Sequence, residues 1–362
     1  MSNAPDRSEL VGAQAGLVGA AAIESHGAAI GEAEIEVHAK GYWEQVWTRF
    51  RRDKVAIGSA IFIVFLILVA AVGGPIAAHF LGHGPKDINL SAGSAGVKVL
   101  PVGPLAHVPC EGFAPMPADC KVGDTQLYVL GADGVLGHDE FLRLLYGARV
   151  SLQVAVLATI AVMLLGIILG TIAGYYRGIV DTAVSRVIEL TMVFPALLFI
   201  IALSATVGPR LNSVTFGIFA PGVMTLVLVF AIFGWYYPAR ILRAQVLSLR
   251  EKEFVEAARM IGASDSRIMR SHIIPHLIAP IIVYSTLTVA SYILLEAGLS
   301  FLGLGIDPEY PSWGNLLATG PTYYTTQPWL MVWPGLAILA TTLAFNLLGD
   351  GIRDAVDPRS SR

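Results

Sequence analysis

Long uncharged, apolar runs constrain this chain of 362 residues more than any other feature of its sequence. A helix that crosses a lipid bilayer needs roughly 20 mostly apolar residues, and six stretches reach about that length. Only 14% of the residues are charged, whereas a soluble domain carries about 25%. We therefore predict an all-α integral membrane protein with six transmembrane helices. The predicted helices cover residues 55–80, 150–176, 187–207, 214–239, 273–295 and 329–348.

The positions of lysine and arginine predict which helix ends face the cytoplasm. With a cytoplasmic N-terminus, 18 of the 24 Lys and Arg residues fall in cytoplasmic segments, as the positive-inside rule expects. Both termini are then cytoplasmic. The resulting division gives residues 1–40 as a mobile cytoplasmic tail, 41–80 as the segment with the first helix, 81–148 as a long outer insertion, and 149–358 as a core with five helices.

Two cysteines, Cys110 and Cys120, lie in the outer insertion. An oxidising outer face favours their pairing, and closing so short a loop contributes about 3 kcal/mol. We predict a disulfide between them. The alternative is two unpaired thiols, and peptide mass mapping with and without reductant separates the two.

Residues 240–275 form a basic loop between the fourth and fifth predicted helices. Within this loop, Phe254, Ala258 and Ile261 follow the i, i+4, i+7 spacing and predict one face of a short helix. Gly262 suits the left-handed position that ends such a helix.

A second short helix is predicted to follow. Ser264 or Asp265 can cap it, and Pro275 marks the entry to the fifth predicted helix. This helix, glycine, helix element is too polar to insert in a membrane and too short to fold alone, so it needs a protein partner. An alternative is that the basic amphipathic loop rests on anionic lipid headgroups.

The order of residues in this loop resembles the EAA loop of binding-protein-dependent ABC importer permeases. The resemblance rests on Glu256, Ala257, Ala258, Gly262 and Pro275. In that family the loop forms the coupling helices that sit in a cleft of the nucleotide-binding subunit. The resemblance implies close approach of the partner at the two alanines, a sharp reversal at the glycine and a charged contact at the glutamate. Residues 240–275 are called the coupling loop below.

His272 narrows the resemblance to one branch of this family. It begins a His-Ile-Ile-Pro run that looks like the dipeptide, oligopeptide and nickel branch. Several separated stretches also resemble the C-type permease of that branch. They are residues 144–152, 173–176, 299–305, 311–315 and 344–354.

The resemblance implies a type I ABC importer permease fold in a bacterial inner membrane, with the insertion in the periplasm. Its implied partners are membrane lipid, a second homologous permease, two cytoplasmic ATPase subunits, and a periplasmic or lipid-anchored substrate-binding protein. ATP and magnesium would be held by the ATPase subunits. The sequence itself contains no Gly-Lys-Ser/Thr phosphate loop, no His-Glu-x-x-His, no Gly-x-Ser-x-Gly and no cluster of metal ligands, so we predict no cofactor, metal or catalytic site on this chain. Because the net charge is only -3, nothing global attracts nucleic acid, and we predict no nucleic-acid partner.

The substrate class predicted from the resemblance is di- or oligopeptides. A nickel complex or another small solute is an alternative within the same class of transporter. A gradient-driven secondary transporter is an alternative from another class, but it would show ionisable residues at mid-membrane and inverted repeats, and the sequence shows neither. A scaffold whose loop only recruits a soluble partner is a further alternative.

Two further features of the predicted helices indicate roles within the membrane. Glu296 is one of the ionisable residues nearest to membrane depth, which makes it a candidate for a gating or pathway role. Gly166, Gly170 and Gly174 recur every four residues. Small residues at this spacing predict a face on which another helix packs closely.

Overall fold

The structure of the chain is a computed structural model. The chain forms two compact units, residues 1–46 and residues 47–362. The predicted tail, residues 1–40, lies outside the described residues, so only residues 41–46 of the first unit are described. The structure describes residues 41–94, 100–117, 120–206 and 218–357.

Helices dominate the described part of the chain, as the sequence predicts. The first helices are α1 (Tyr42–Phe50), α2 (Lys54–Leu68), α3 (Gly74–Leu81), α4 (Glu140–Tyr176), α5 (Gly178–Val193), α6 (Ala196–Thr206) and α7 (Val223–Gly234). The later helices are α8 (Tyr236–Leu249), α9 (Glu253–Met260), α10 (Asp265–Ile268), α11 (Ile274–Phe301), α12 (Trp313–Tyr323) and α13 (Trp329–Val356). Short π-helical turns join α2 to α3 and α10 to α11.

Four continuous helical stretches are long and apolar enough to cross a bilayer. The bent pair α7 and α8 makes a fifth if a 42° bend is allowed within one span. The four continuous stretches match the first, second, fifth and sixth predicted helices, and the bent pair matches the fourth. The described residues therefore contain at most five of the six predicted spans. The four continuous stretches are Lys54–Leu81, Glu140–Tyr176, Asp265–Phe301 and Trp329–Val356.

The third predicted helix, residues 187–207, is instead divided between α5 and α6. The break falls at Phe194, whose backbone is extended (ψ 130°), because the proline that follows disfavours helical geometry in the preceding residue. Pro195 also lacks the N–H that would continue the helical hydrogen bonds. The last predicted residue of this helix lies outside the described part of the chain.

The long helix α4 begins ten residues before the predicted start of the second span. Asp139 caps it by accepting a 3.0 Å hydrogen bond from the Leu142 N–H, and Nε2 of His83 lies 3.0 Å from the other Asp139 carboxylate oxygen. Sequence hydropathy missed these first turns because they contain Glu140 and Arg143. Both side chains are buried by the insertion.

The insertion contains short strands, so the predicted all-α class is wrong in this segment. Strand β1 (Ala106–Pro109) pairs antiparallel with β2 (Thr125–Tyr128), and β3 (Ala132–Asp133) pairs with β4 (His138–Asp139). A 3₁₀ turn, Cys110–Gly112, follows β1. Hairpins of this size are invisible to hydropathy, since each strand is only two to four residues long.

A small apolar core holds the insertion together. Val108, Phe113 and Tyr128 pack in it, and Cys110 and Cys120 are joined there as a disulfide, with their Cα atoms 5.8 Å apart. The geometry agrees with the predicted pairing, which mass mapping would test. Burial raises the pKa of the Tyr128 phenol, with smaller contributions from nearby carboxylates.

A buried ion pair attaches the insertion to α4. Nε of Arg143 lies 3.0 Å from a carboxylate oxygen of Asp133, and Nδ1 of His138 lies 2.9 Å from the other. Burial alone would raise the pKa of Asp133, but Arg143 and His138 outweigh it and lower that pKa. The pair therefore stabilises the fold above the ordinary aspartate pKa, and this stability is lost as pH falls through the lowered value.

The glycine repeat of the second predicted helix packs as expected. A Cβ atom on Gly166 would lie 2.7 Å from the Pro238 ring, and one on Gly170 would lie 2.6 Å from the Ala239 carbonyl oxygen. One on Gly174 would meet the Arg243 carbonyl oxygen at 2.8 Å. These distances are too short for any side chain, so the predicted close packing is confirmed and α8 is the partner.

Candidate functional site

The coupling loop folds as a helix, glycine, helix element, as the sequence predicts. Its first ten residues continue α8 to Leu249, and α9 follows after a short turn. Gly262 ends α9 with a left-handed backbone (φ +80°). The Ala263 N–H donates to the Ala258 carbonyl at 3.0 Å, and the Gly262 N–H donates to the Arg259 carbonyl at 2.9 Å. This pair of bonds is the Schellman motif that commonly ends helices.

The second helix of the loop is not separate from the membrane helix, which corrects the prediction. The chain is helical without a break from Asp265 to Phe301. Pro275 therefore does not mark the start of the span. A π-helical turn, Met269–Ile273, precedes the proline, and the Ile274 N–H donates to the Met269 carbonyl. This wider turn accommodates the missing proline N–H without ending the helix.

The inner face of the coupling loop packs on the rest of its own chain. Val255, Ala258 and Ile268 are buried in an apolar cluster that includes Tyr175 and Leu242. Of the predicted helix face, Phe254 and Ala258 lie on this cluster. Ala258, one of the two alanines expected at the partner contact, is therefore buried by its own chain. The apolar cluster therefore supports α9 from beneath.

The outer face of the loop carries an apolar tip that sequence reasoning missed. Met260 and Ile261 are 83% and 85% exposed, and the prediction that Ile261 shares the inner face of Phe254 and Ala258 is wrong. The glycine reversal causes this, because the helix ends before Ile261 can turn inward. Glu256 and Ala257 are exposed beside the tip, so two predicted partner contacts and two unexpected apolar residues share one surface.

Tyr175 connects this surface to the end of α4. Its hydroxyl donates to Asp265 at 2.7 Å, and Arg259 lies over its ring, 5.5 Å from the centroid. Arg250 donates to the Tyr175 carbonyl and lies 5.8 Å from the same ring. One side chain thus contacts both helices of the coupling loop and the turn before them. A tyrosine at the end of an apolar run gives no sequence signal for such a role.

Two ion pairs reinforce the same end of the bundle. Arg177 pairs with Glu251, and its hydrogen bond and charge lower the pKa of that carboxylate. Arg243 on α8 contacts both carboxylate oxygens of Asp181 on α5. The basic residues of the loop are therefore partly engaged within the chain, which weakens the alternative that they only meet lipid headgroups.

The remaining predicted loop residues have less specific surroundings. Ser264 occupies the N-cap position of α10 without a side-chain capping bond. His272 is partly buried, and its carbonyl lies 2.7 Å from Nδ1 of His276, whose ring stacks on Phe254 at 4.8 Å. These contacts fix the base of the loop rather than its exposed tip.

Glu296 is fully buried rather than facing open space. The Ser300 hydroxyl donates to its carboxylate at 2.8 Å, and the hydroxyls of Ser151 and Ser312 also interact with it. The Ser151 oxygen in turn accepts the Trp313 N–H at 3.2 Å. Glu296 therefore ties α11 to α4 and to the start of α12. The predicted gating role stays a hypothesis.

Substitution of Glu296 distinguishes gating from this structural role. Glu296→Gln keeps the volume and an acceptor for Ser300, whereas Glu296→Ala leaves buried hydroxyls unsatisfied at about 1–3 kcal/mol each. We expect the alanine variant to lower the thermal midpoint of the purified protein well below that of the glutamine variant. Transport per folded molecule stays near wild type in the glutamine variant if the role is structural, and a large loss there would favour gating.

These observations define the class of protein. Several helices are long and apolar enough to cross a membrane. A polar loop supported by its own chain presents an exposed tip, as expected of the membrane subunit of a larger assembly. Residues 166–362 match the family described as the inner membrane component of binding-protein-dependent transport systems. Residues 41–92 match the N-terminal transmembrane domain of oligopeptide transport permease C. The chain belongs to this family of inner membrane transport components.

The sequence is similar to those of named permeases along most of its length. A dipeptide transport system permease protein of Bacillus subtilis is 33% identical over 322 residues, covering 89% of this chain and 87% of the relative. A glutathione transport system permease protein of Escherichia coli O6:K15:H31 is 35% identical over 317 residues, covering 88% of this chain and 90% of the relative. A dipeptide transport system permease protein of Alkalihalophilus pseudofirmus is 39% identical over 243 residues, covering 67% of this chain and 76% of the relative.

Family membership establishes the general role of the chain. It is a multi-span permease subunit of a bacterial inner membrane transport system that depends on a binding protein. Such a subunit works with a substrate-binding protein and with ATPase subunits on other chains, and it is not the subunit that hydrolyses ATP.

Proposed function

We propose that this chain forms half of the translocation pathway of an importer of di- or oligopeptides, and that its coupling loop docks the ATPase. The docking proposal rests on Met260 and Ile261, which are exposed beside Glu256. They lie on the outer side of the coupling loop, whose inner side packs on an apolar cluster of the same chain. Apolar side chains at such exposure are stabilised when a partner covers them. The names of the dipeptide and glutathione relatives support the peptide class.

The proposed assembly pairs this chain with a second, homologous permease in a type I arrangement of six helices each. Two ATPase subunits bind the coupling loops in the cytoplasm, where both termini also lie, and a binding protein delivers substrate to the periplasmic side. The distribution of Lys and Arg supports this orientation. The location of the insertion at the opposite end of α4 from the coupling loop is consistent with it.

In the proposed mechanism, closure of the ATPase subunits on ATP moves α9 and the start of the Asp265–Phe301 helix together. Tyr175 transmits this displacement to α4, because its hydroxyl is bonded to Asp265 at 2.7 Å. Rigid helices then reorient the pathway between inward-facing and outward-facing states, as in other transporters. The chain itself supplies docking, transmission and a wall of the pathway.

Reconstitution tests this function directly. The complex in liposomes, with its binding protein, is expected to accumulate a dipeptide only when ATP is present on the ATPase side. Glu256→Lys reverses the charge beside the tip and is expected to reduce both ATPase retention and uptake at least tenfold. Glu111→Lys changes an exposed glutamate on the insertion and serves as the matched control. Uptake driven by a proton gradient without ATP would contradict the proposal.

A further inference from the structure

A cavity of about 620 Å³ lies within the helical bundle, separate from the coupling loop and from Glu296. Its walls come from α4, α6, α11 and the bend between α7 and α8. At the bend, Gly234 leaves room for the Tyr292 hydroxyl, and Tyr292 stacks on Phe230 at 4.7 Å. Volumes of this size are typical of small-ligand sites.

The lining combines aromatic faces with hydroxyl groups. Thr288 donates to the Tyr284 carbonyl at 2.6 Å and Ser291 donates to the Leu287 carbonyl at 3.0 Å, so each hydroxyl oxygen keeps lone pairs that can accept from a solute. Phenol groups add donors, and the remaining lining is apolar. The hydroxyl-bearing residues are Tyr236, Tyr237, Tyr284, Tyr292, Thr288 and Ser291.

Charge is the property that most restricts what this cavity accepts. Among the described residues that line it, none is Asp, Glu, Lys, Arg or His. A metal ion prefers carboxylate, imidazole or thiolate ligands, and these are missing from that lining. A short peptide instead offers backbone donors and acceptors to hydroxyls, and its two terminal charges offset each other. Its side chains can lie against aromatic faces whatever their type.

The cavity is also connected to the coupling loop. Tyr236, Tyr237 and Pro238 of its wall begin α8, and the rest of this helix, residues 240–249, is the first part of the coupling loop. A displacement of the loop therefore moves the cavity wall on the same rigid helix.

We propose that this cavity is where the transported solute contacts this chain, and that it takes short peptides through hydroxyl and aromatic contacts without any fixed charge. The inference rests on the proposed function of the chain as a permease half. It predicts tolerance of side-chain charge, and it disfavours a metal ion as the transported solute.

Cysteine accessibility tests the proposal on the whole complex in lipid nanodiscs. The chain has two cysteines, and both are in the disulfide, so an introduced cysteine is the free thiol of this subunit. Thr288→Cys places it in the cavity. Leu164→Cys is the control, because Leu164 is two residues from the cavity-lining Val162 but belongs to an exposed apolar stripe with Ile160 and Ile168.

A polar, membrane-impermeant thiol reagent is expected to label Thr288→Cys at least tenfold faster than Leu164→Cys. Saturating dipeptide, with binding protein and ATP, is expected to slow the labelling of Thr288→Cys at least fivefold and to leave the control unchanged. A second variant, Thr288→Asp, is expected to shift the uptake ratio of lysine-containing to glutamate-containing dipeptides at least fivefold toward the basic peptide.

Two different failures are distinguishable. Suppose that the wild-type complex transports peptide with ATP, but peptide does not slow the labelling of Thr288→Cys and Thr288→Asp does not change the uptake ratio. This inference is then overturned and the proposed function stands. If the wild-type complex shows no ATP-driven peptide uptake, both are overturned.

Discussion

Replacing Met260 and Ile261 together with glutamate is expected to release the ATPase subunit from the complex. Both side chains are more than four-fifths exposed in this subunit alone. Full burial of such a side chain contributes about 1.5–3 kcal/mol, and the replacement also places two charges in the interface. We expect at least a hundredfold loss of affinity, measured as ATPase retained on the purified membrane subunit across a concentration series.

The matched control for this pair is Val122→Glu. Val122 is 73% exposed on the insertion, so the same type of substitution is made at similar exposure far from the coupling loop. Neither substitution disturbs a buried contact, and both proteins should reach the membrane at wild-type levels. Full ATPase retention by the Met260→Glu, Ile261→Glu variant would show that the tip is not the docking surface.

Breaking the bond between Tyr175 and Asp265 is expected to uncouple ATP hydrolysis from transport. Tyr175→Phe removes only the hydroxyl and keeps the ring beneath Arg259 and beside Arg250. A hydrogen bond to a charged group contributes about 1.5–3 kcal/mol, which corresponds to roughly a tenfold or larger change in an equilibrium. We therefore expect ATP hydrolysis to persist while peptide transported per ATP falls about tenfold.

Asp265→Asn and the double variant complete this experiment. If both single changes act through the one 2.7 Å bond, the double variant is no worse than the more affected single variant. Additive losses would mean that the two residues act separately. Equal losses of hydrolysis and transport in Tyr175→Phe would point to a folding or docking defect instead of transmission.

The membrane helices and the shape of the coupling loop were largely predictable, because both depend on local pattern. Runs of apolar residues specify helices at membrane depth, and Gly262 specifies a left-handed reversal whatever surrounds it. The same local logic located the packing face of the glycine repeat. For these features the prediction needed only spacing and residue type, and the structure largely agrees with it.

Some failures arise where distant parts of the chain decide the outcome, and others where a helix ends earlier than its spacing pattern suggests. Helix α4 begins at Glu140 because the insertion buries its first charged turn, and hydropathy treats those charges as a boundary. Ile261 points outward because the helix stops one residue before it. Tyr175 gains its role from contacts with Arg250, Arg259 and Asp265, which lie 75 to 90 positions away along the sequence.

The three glycines of α4 have a mechanical consequence for its contact with α8. At these positions α4 contributes only backbone atoms, which face the Pro238 ring, the Ala239 carbonyl and the Arg243 carbonyl of α8. No α4 side chain therefore has to leave a gap in α8 before the two helices can shift. Interdigitated side chains resist sliding, and the α4 side of this contact has none at the three glycines. We therefore expect that α8 can shift along α4 while the two helices stay in contact.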